Sequence, residues 1–158
     1  MTARPGPRLT ISARDMASLR AAAAEAYPNE FCALLIGMVE GQRARVTRIV
    51  LAANRDPNPR RGFELDPAVL IATLRELREA ERAGRSKERL IGHAHSHPDA
   101  PAIPSATDRA MAHEPGLIWL IFPVEQGRAG PPNAFKAARG AAGKTTFRKV
   151  LLGVPRTV

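Results

Sequence analysis

Cysteine is almost missing from this 158-residue chain: Cys32 stands alone. No intrachain disulfide can form, and a zinc ribbon built on thiolates is excluded. Any bound metal must be held by histidine and carboxylate. Aromatics are scarce as well, with five Phe, one Trp and one Tyr, which leaves little to stack on bases. No apolar run approaches the roughly 18 residues of a membrane helix. The first eight residues are polar and proline-bearing, without an apolar stretch of the signal-peptide kind. The expected location is cytoplasmic, with no membrane partner. Acidic residues are the minority charge, 15 Asp and Glu against 24 Lys and Arg, for a net charge of +9. Twenty of the 24 are Arg, spread along the chain with Arg60 and Arg61 the nearest thing to a cluster. A basic surface meeting an acidic protein is favoured over a nucleic-acid partner.

What is present is enough apolar residue, 44%, for one sizeable core. One domain is expected over 9–152, between tails at 1–8 and 153–158. A short strand at 8–12 precedes a helix opened by Ser12 and Asp15 in capping-box spacing and ended by Pro28, with Met16, Leu19 and Ala23 on its buried face. The apolar run 31–38 and the alternating run 44–52, separated by Glu40 and Gly41, predict a hairpin. After a turn-rich loop at 54–62, Asp66 and Pro67 open a helix to about residue 83, with Leu70, Leu74 and Leu77, and Ile71 beside them, as its apolar face. Strands follow at 89–97, 117–124, 133–138 and 145–152, with a short helix at 105–112. Helices and strands mix without a βαβ rhythm, so the fold class is α+β, a mixed sheet flanked by helices. Trp119 is expected in the core and His113 on the surface.

The chemistry is concentrated in 92–108, GHAHSHPDAPAIPSATD. Side chains alternate on a strand, so His95 and His97 point the same way and can reach one ion. Pro98 ends the strand, and Ser105 and Asp108 fall on the first turn of a helix that can return a carboxylate to them. Two His and one Asp leave a fourth position for water, whose pKa zinc lowers toward about 7. His93 continues the same-face series, so periodicity alone leaves a three-histidine site open. Cys32 shares its face with Glu30 and is expected to be a small buried hydrophobe.

The string H-S-H-P, six residues, then S-x-x-D resembles the signature of the JAMM (MPN-plus) zinc metalloproteases, in particular the compact bacterial standalone type. A second stretch, Pro28-Asn29-Glu30-Phe31-Cys32-Ala33-Leu34-Leu35-Ile36-Gly37, resembles the family's P-x-E-x-C-G-L-L-x-G context. The likeness extends over roughly 9–152. It implies a curved mixed sheet of JAMM/MPN type, zinc held by His95, His97 and Asp108, Glu30 as general base, and Ser105 as the residue that steadies the oxyanion. It also implies a peptidase or isopeptidase acting after the C-terminal Gly-Gly of a ubiquitin-like or sulfur-carrier protein. The alternatives are a zinc hydrolase of small amides and a non-catalytic interaction module. Two positions depart from the pattern: Ala33 replaces the usual Gly, and Ala94 stands where a Tyr commonly precedes the His-Ser-His triplet. Little room is left between Asp108 and the 117–124 strand for the insertion with which eukaryotic deubiquitinases grip ubiquitin. An extended tail further requires an open sheet edge beside the metal.

Overall fold

The computed structural model describes residues 5–156; of the expected tails, residues 1–4 and 157–158 lie outside that range. The elements in chain order are β1 (Arg8–Thr10), α1 (Ala13–Ala26), β2 (Cys32–Glu40), β3 (Arg43–Ala52), α2 (Pro67–Arg82), β4 (Arg89–Pro98), α3 (Ala106–Met111), β5 (Ile118–Glu125), β6 (Arg128–Ala129), β7 (Asn133–Arg139) and β8 (Thr145–Gly153), with a single 3-10 turn at Ala141–Gly143 before β8. The strands lie in the order β4-β2-β3-β1-β8-β7-β5-β6, and β4 also pairs with β5. That last pairing closes seven strands into a ring, with β6 as a short hairpin arm on β5. Pairing is antiparallel except for β1 with β3, β1 with β8, and β4 with β5.

Closure follows from residues that fill one interior. Leu9, Leu35, Val46, Ile91, Ala94, Leu120, Phe122, Ala134 and Val150 meet in a single buried cluster, to which α1 adds Met16, Leu19 and Ala23. Helix α1 starts where Ser12 accepts a hydrogen bond from the Asp15 amide at 3.0 Å, the capping bond its sequence spacing predicts. A second cluster lies under α2, where Leu77, Val69 and Leu70 cover Leu34, Ile36, Val50 and Leu90. A third gathers Trp119, Ala137, Phe135, Phe147 and Ala112 with Phe63.

The apolar face of α2 differs from the expected one. Ile71 is 50% and Leu74 38% exposed, while Thr73 is buried with Leu77. The helix is rotated so that Glu76 reaches Arg48 of β3 at 3.1 Å, which turns Leu74 outward. Thr73 tolerates burial because its hydroxyl donates to the Val69 carbonyl at 2.8 Å, leaving no polar atom unpaired.

Two glycines fix the strand that carries the histidines. A Cβ on Gly92 would collide with the Ile118 carbonyl, and one on Gly37 with the Arg45 carbonyl; both positions admit only close backbone approach. Beside Gly92 the β2–β4 register steps from Leu35↔Gly92 to Ile36↔Leu90, skipping Ile91. This bulge lets Ile91 and Ala94, three apart, both face the interior, and from there to Pro98 the strand alternates without interruption.

Candidate active site

On the outer face of β4, His93, His95 and His97 stand in series, all buried. After Pro98 the chain turns at Asp99, which has φ 51°. The Asp99 carboxylate accepts from the Tyr27 hydroxyl at 2.7 Å and from the Gln126 amide at 3.0 Å, anchoring the loop to the end of α1 and to the β5–β6 turn. Tyr27 is correspondingly raised and Asp99 lowered from their ordinary pKa values, each mainly through hydrogen bonding.

The loop presents the Pro101 carbonyl 2.8 Å from His97 Nδ1. A carbonyl can only accept, so Nδ1 carries the proton and Nε2 of the neutral ring offers its lone pair. At the start of α3, Ser105 Oγ accepts from the Asp108 amide at 3.0 Å and Asp108 Oδ2 accepts from the Ser105 amide at 2.8 Å. This reciprocal cap locks the carboxylate in place. Asp108 then meets His95 Nε2 at 3.2 Å and His97 Nε2 at 3.0 Å, and the two Nε2 atoms are 3.1 Å apart.

Two acceptors, the His97 lone pair and a carboxylate oxygen, therefore face each other at hydrogen-bond distance. Only a proton or a cation between them relieves that repulsion. Burial disfavours a charged His97, but its hydrogen bonds to Asp108 and Pro101 outweigh it and raise its pKa. Burial alone would raise Asp108; hydrogen bonds from His95 and His97 override it and hold the carboxyl well below the usual range. For His95 burial wins and the ring is lowered. Ligand atoms of His95, His97 and Asp108 lie within 4.8 Å of one another, and two imidazole nitrogens with one carboxylate are a donor set that suits a zinc-type ion. The three residues fit a metal.

Glu30 precedes β2. Cys32 lies opposite His95, and continuing that register sets Glu30 opposite His97. The Phe31 amide donates to Ser96 Oγ at 2.9 Å, stapling the two strands at this point. Glu30 is buried, and its Oε2 has no hydrogen-bond partner among the described residues. Burial, opposed by the nearby His97 and reinforced by Asp108, pushes its pKa to about 8.

The remaining candidates fall outside the cluster. His93 packs edge-on to Trp119, with ring centroids 4.2 Å apart, and burial keeps it neutral, lowered to about 3. Cys32 Sγ points at the Ala52 and Ala53 carbonyls at 3.6 and 3.7 Å, and burial raises the thiol to about 12. His113 is exposed and Trp119 buried, as their sequence positions predict.

Sequence reasoning missed two supports. Phe63 stacks on His95 at 4.4 Å, fixing the plane of the ring. Asn54 donates to the carbonyls of Glu30 and Gly62 and accepts from the amides of Asp56 and Glu64, each at 3.0 Å. With the Glu30 amide bound to the Pro59 carbonyl at 2.7 Å, the 54–62 loop becomes the scaffold of Glu30. The available signal was an Asn opening a loop rich in Asp and Pro, a residue suited to bridging turn backbone.

Strand β4 pairs with β2 up to His95 and with β5 from Gly92 to Pro98, so on its β2 side only Ser96 to Pro98 are left without a strand partner. Among the described residues, β3 is also unpaired on its β1 side beyond Arg45, as is β8 before Leu151.

Residues 12–137 match the family described as prokaryotic homologs of the JAB domain. The chain is 36% identical over 115 residues to the desampylase of Haloferax volcanii, covering 72% of this chain and 77% of that protein. It is 37% identical over 94 residues to a probable TtuB-protein conjugate cleaving protease of Thermus thermophilus, covering 60% and 58% respectively. A protein of Desulfitobacterium hafniense solved in solution superposes with a TM-score of 0.72 at 28% identity, over 93% of this chain and 94% of the other. The motif residues, the closed sheet and these matches agree: this chain belongs to the prokaryotic JAB-domain family and is a JAMM-type hydrolase.

Proposed function

We propose that the chain is a zinc-dependent peptidase or isopeptidase that cleaves after the C-terminal Gly-Gly of a ubiquitin-like or sulfur-carrier protein. The observation that carries this reading is the convergence of His95, His97 and Asp108 in a chain related to a desampylase and a conjugate-cleaving protease. His95 Nε2, His97 Nε2 and the Asp108 carboxylate would hold the metal. Zinc bound there supplies a Lewis acid that polarises a carbonyl and acidifies water at neutral pH.

Glu30 takes a proton from the attacking water and returns it to the leaving amine as the C–N bond breaks. Its burial suits the task, because desolvation raises its proton affinity and makes the carboxylate a better base than one in open solvent. The Ser105 oxygen accepts from the Asp108 amide while its own proton stays free to donate to the oxyanion. Phe63 and the Pro101 carbonyl hold the two imidazoles at fixed angles. An extended tail can lie along the free edge of β3 from Val46 to Ala52, whose far end is level with Cys32 and His95. Glycines at the tail's end let its backbone come close to the buried ligands.

The test is to incubate the purified chain with Gly-Gly-tailed ubiquitin-like proteins bearing C-terminal extensions and to weigh the products. Release of the extension, abolished by a chelator and by Gly→Leu changes at both tail positions, is the expected result. Cleavage indifferent to the tail, or confined to small amides, would reassign the chain to general amide hydrolysis.

A further inference from the structure

The reaction described above uses none of the chain's 24 Lys and Arg, yet several of them are gathered around one feature. At the end of the barrel where β4 begins, Arg8 of β1, Arg43 of β3, Arg89 of β4 and Lys136 of β7 line a cavity of about 310 Å³. Its other walls include Ile91, Ile118, the turn at Gly116 and the neutral Gln42, and no carboxylate lines it. The cations are set against each other by register. Arg8 lies directly opposite Arg43, and Lys136 directly opposite Arg148; like charges in that position weaken a sheet.

Compensation is missing as well. Arg48 and Arg55 are paired with Glu76 and Asp66, whereas among the described residues Arg8, Arg43, Arg89 and Lys136 have no carboxylate within 4.0 Å. Glu40, opposite Arg43 across the hairpin, makes no such contact. Arg8, Arg43 and Arg89 are exposed, and a cavity ringed by uncompensated charge of one sign is suited to receive an anion.

We propose that this cavity binds a compact phosphate-bearing anion. Guanidinium forks match phosphate oxygens in pairs, and four cations suit a group carrying several negative charges. The volume sits at the small end of ligand pockets, the size of a di- or triphosphate group and too small to enclose a whole nucleotide. No aromatic side chain lines it, which disfavours single-stranded nucleic acid. The site is separate from the metal ligands: from Arg89 to His97 the strand rises by roughly 25 Å.

The probe is inorganic pyrophosphate, titrated into the full chain without added divalent cation and followed by calorimetry and phosphorus NMR line width. Saturable one-to-one binding is expected, weakened at least about tenfold by Arg43→Ala with Arg89→Ala. It should survive both His95→Ala and the pair Arg14→Ala with Arg78→Ala, which removes equal charge from exposed helix faces. Should the double pocket variant fail to fold, Lys136→Ala on the half-buried wall must weaken binding in its place. Absence of saturable binding overturns the proposal, as does equal weakening in the helix-face variant. So do loss of binding in His95→Ala, which would put the anion at the metal ligands, and tighter pocket-dependent binding of an oligonucleotide or acidic polypeptide.

Discussion

Glu30 holds a carboxyl in a place that penalises its charge, and the proposed role as base predicts opposite effects of its replacement on stability and on turnover. With its pKa raised to about 8 from an ordinary value near 4.5, the folded state favours the protonated form. The stability this group contributes is full below about pH 4.5, declines as pH rises, and is gone above about 8, a loss on the order of a few kcal/mol. Glu30→Gln should therefore raise the melting temperature of chelator-treated protein at pH 8.5 but not at pH 4, while reducing turnover by about 10²-fold or more. A melting shift equal at both pH values would show that the charge is not the cause. Ser105 separates differently, because its oxygen caps α3 and its proton is free. Ser105→Ala is expected to cost about 1 kcal/mol of stability and about 10²-fold in kcat; Ser105→Thr should restore the first in full and the second in large part. Asp108→Ala, read by metal analysis, should leave the chain without stoichiometric zinc, since it removes one ligand and the group that sets His95 and His97.

At the level of elements, the two faces of α2 differ in what they stabilise. Leu77→Ala should destabilise by about 2–4 kcal/mol, as expected for a buried leucine, while Leu74→Glu should stay within about 0.5 kcal/mol because that side chain faces water. Equal costs, measured by denaturant unfolding, would restore the Leu70-Leu74-Leu77 face that leucine spacing suggests. Spacing misled there because it counts apolar residues and is blind to Glu76 reaching Arg48 and to Thr73 bonding back to Val69. Apart from β6 and the short 3-10 turn, which no sequence signal announced, helices and strands were legible from local signals, namely Ser12 and Asp66 as caps, Pro28 and Pro98 as stops, and alternation in β3. The convergence of His95, His97 and Asp108 was legible for the same reason, since i, i+2 on a strand and a capped helical turn are local geometry. Asn54 and Phe63 were not, because their partners Glu30 and His95 are distant in sequence.

For the molecule as a whole, ring closure depends on β1 and β8, which pair with each other at Arg8↔Leu151 and bridge β3 to β7. Neither strand's pattern announced this. Nothing local tells a three-residue strand that its neighbours are Arg43–Arg45 on one side and Leu151–Gly153 on the other. Strand β2, just after Glu30, pairs directly with β4, which carries the histidines, but Asp108 is reached only after β4. The arrangement has a bearing on how the protein is made. Because β8 seals against β1, a nascent chain emerging from the ribosome can form the β2–β3 hairpin early but cannot shut the barrel until β8 has been synthesised. During that interval Leu9, Leu35 and Phe122 face water, and the half-built sheet offers two raw edges to other unfinished chains. Yield in the cell should therefore respond to growth temperature and synthesis rate more sharply than the finished protein's melting point would suggest.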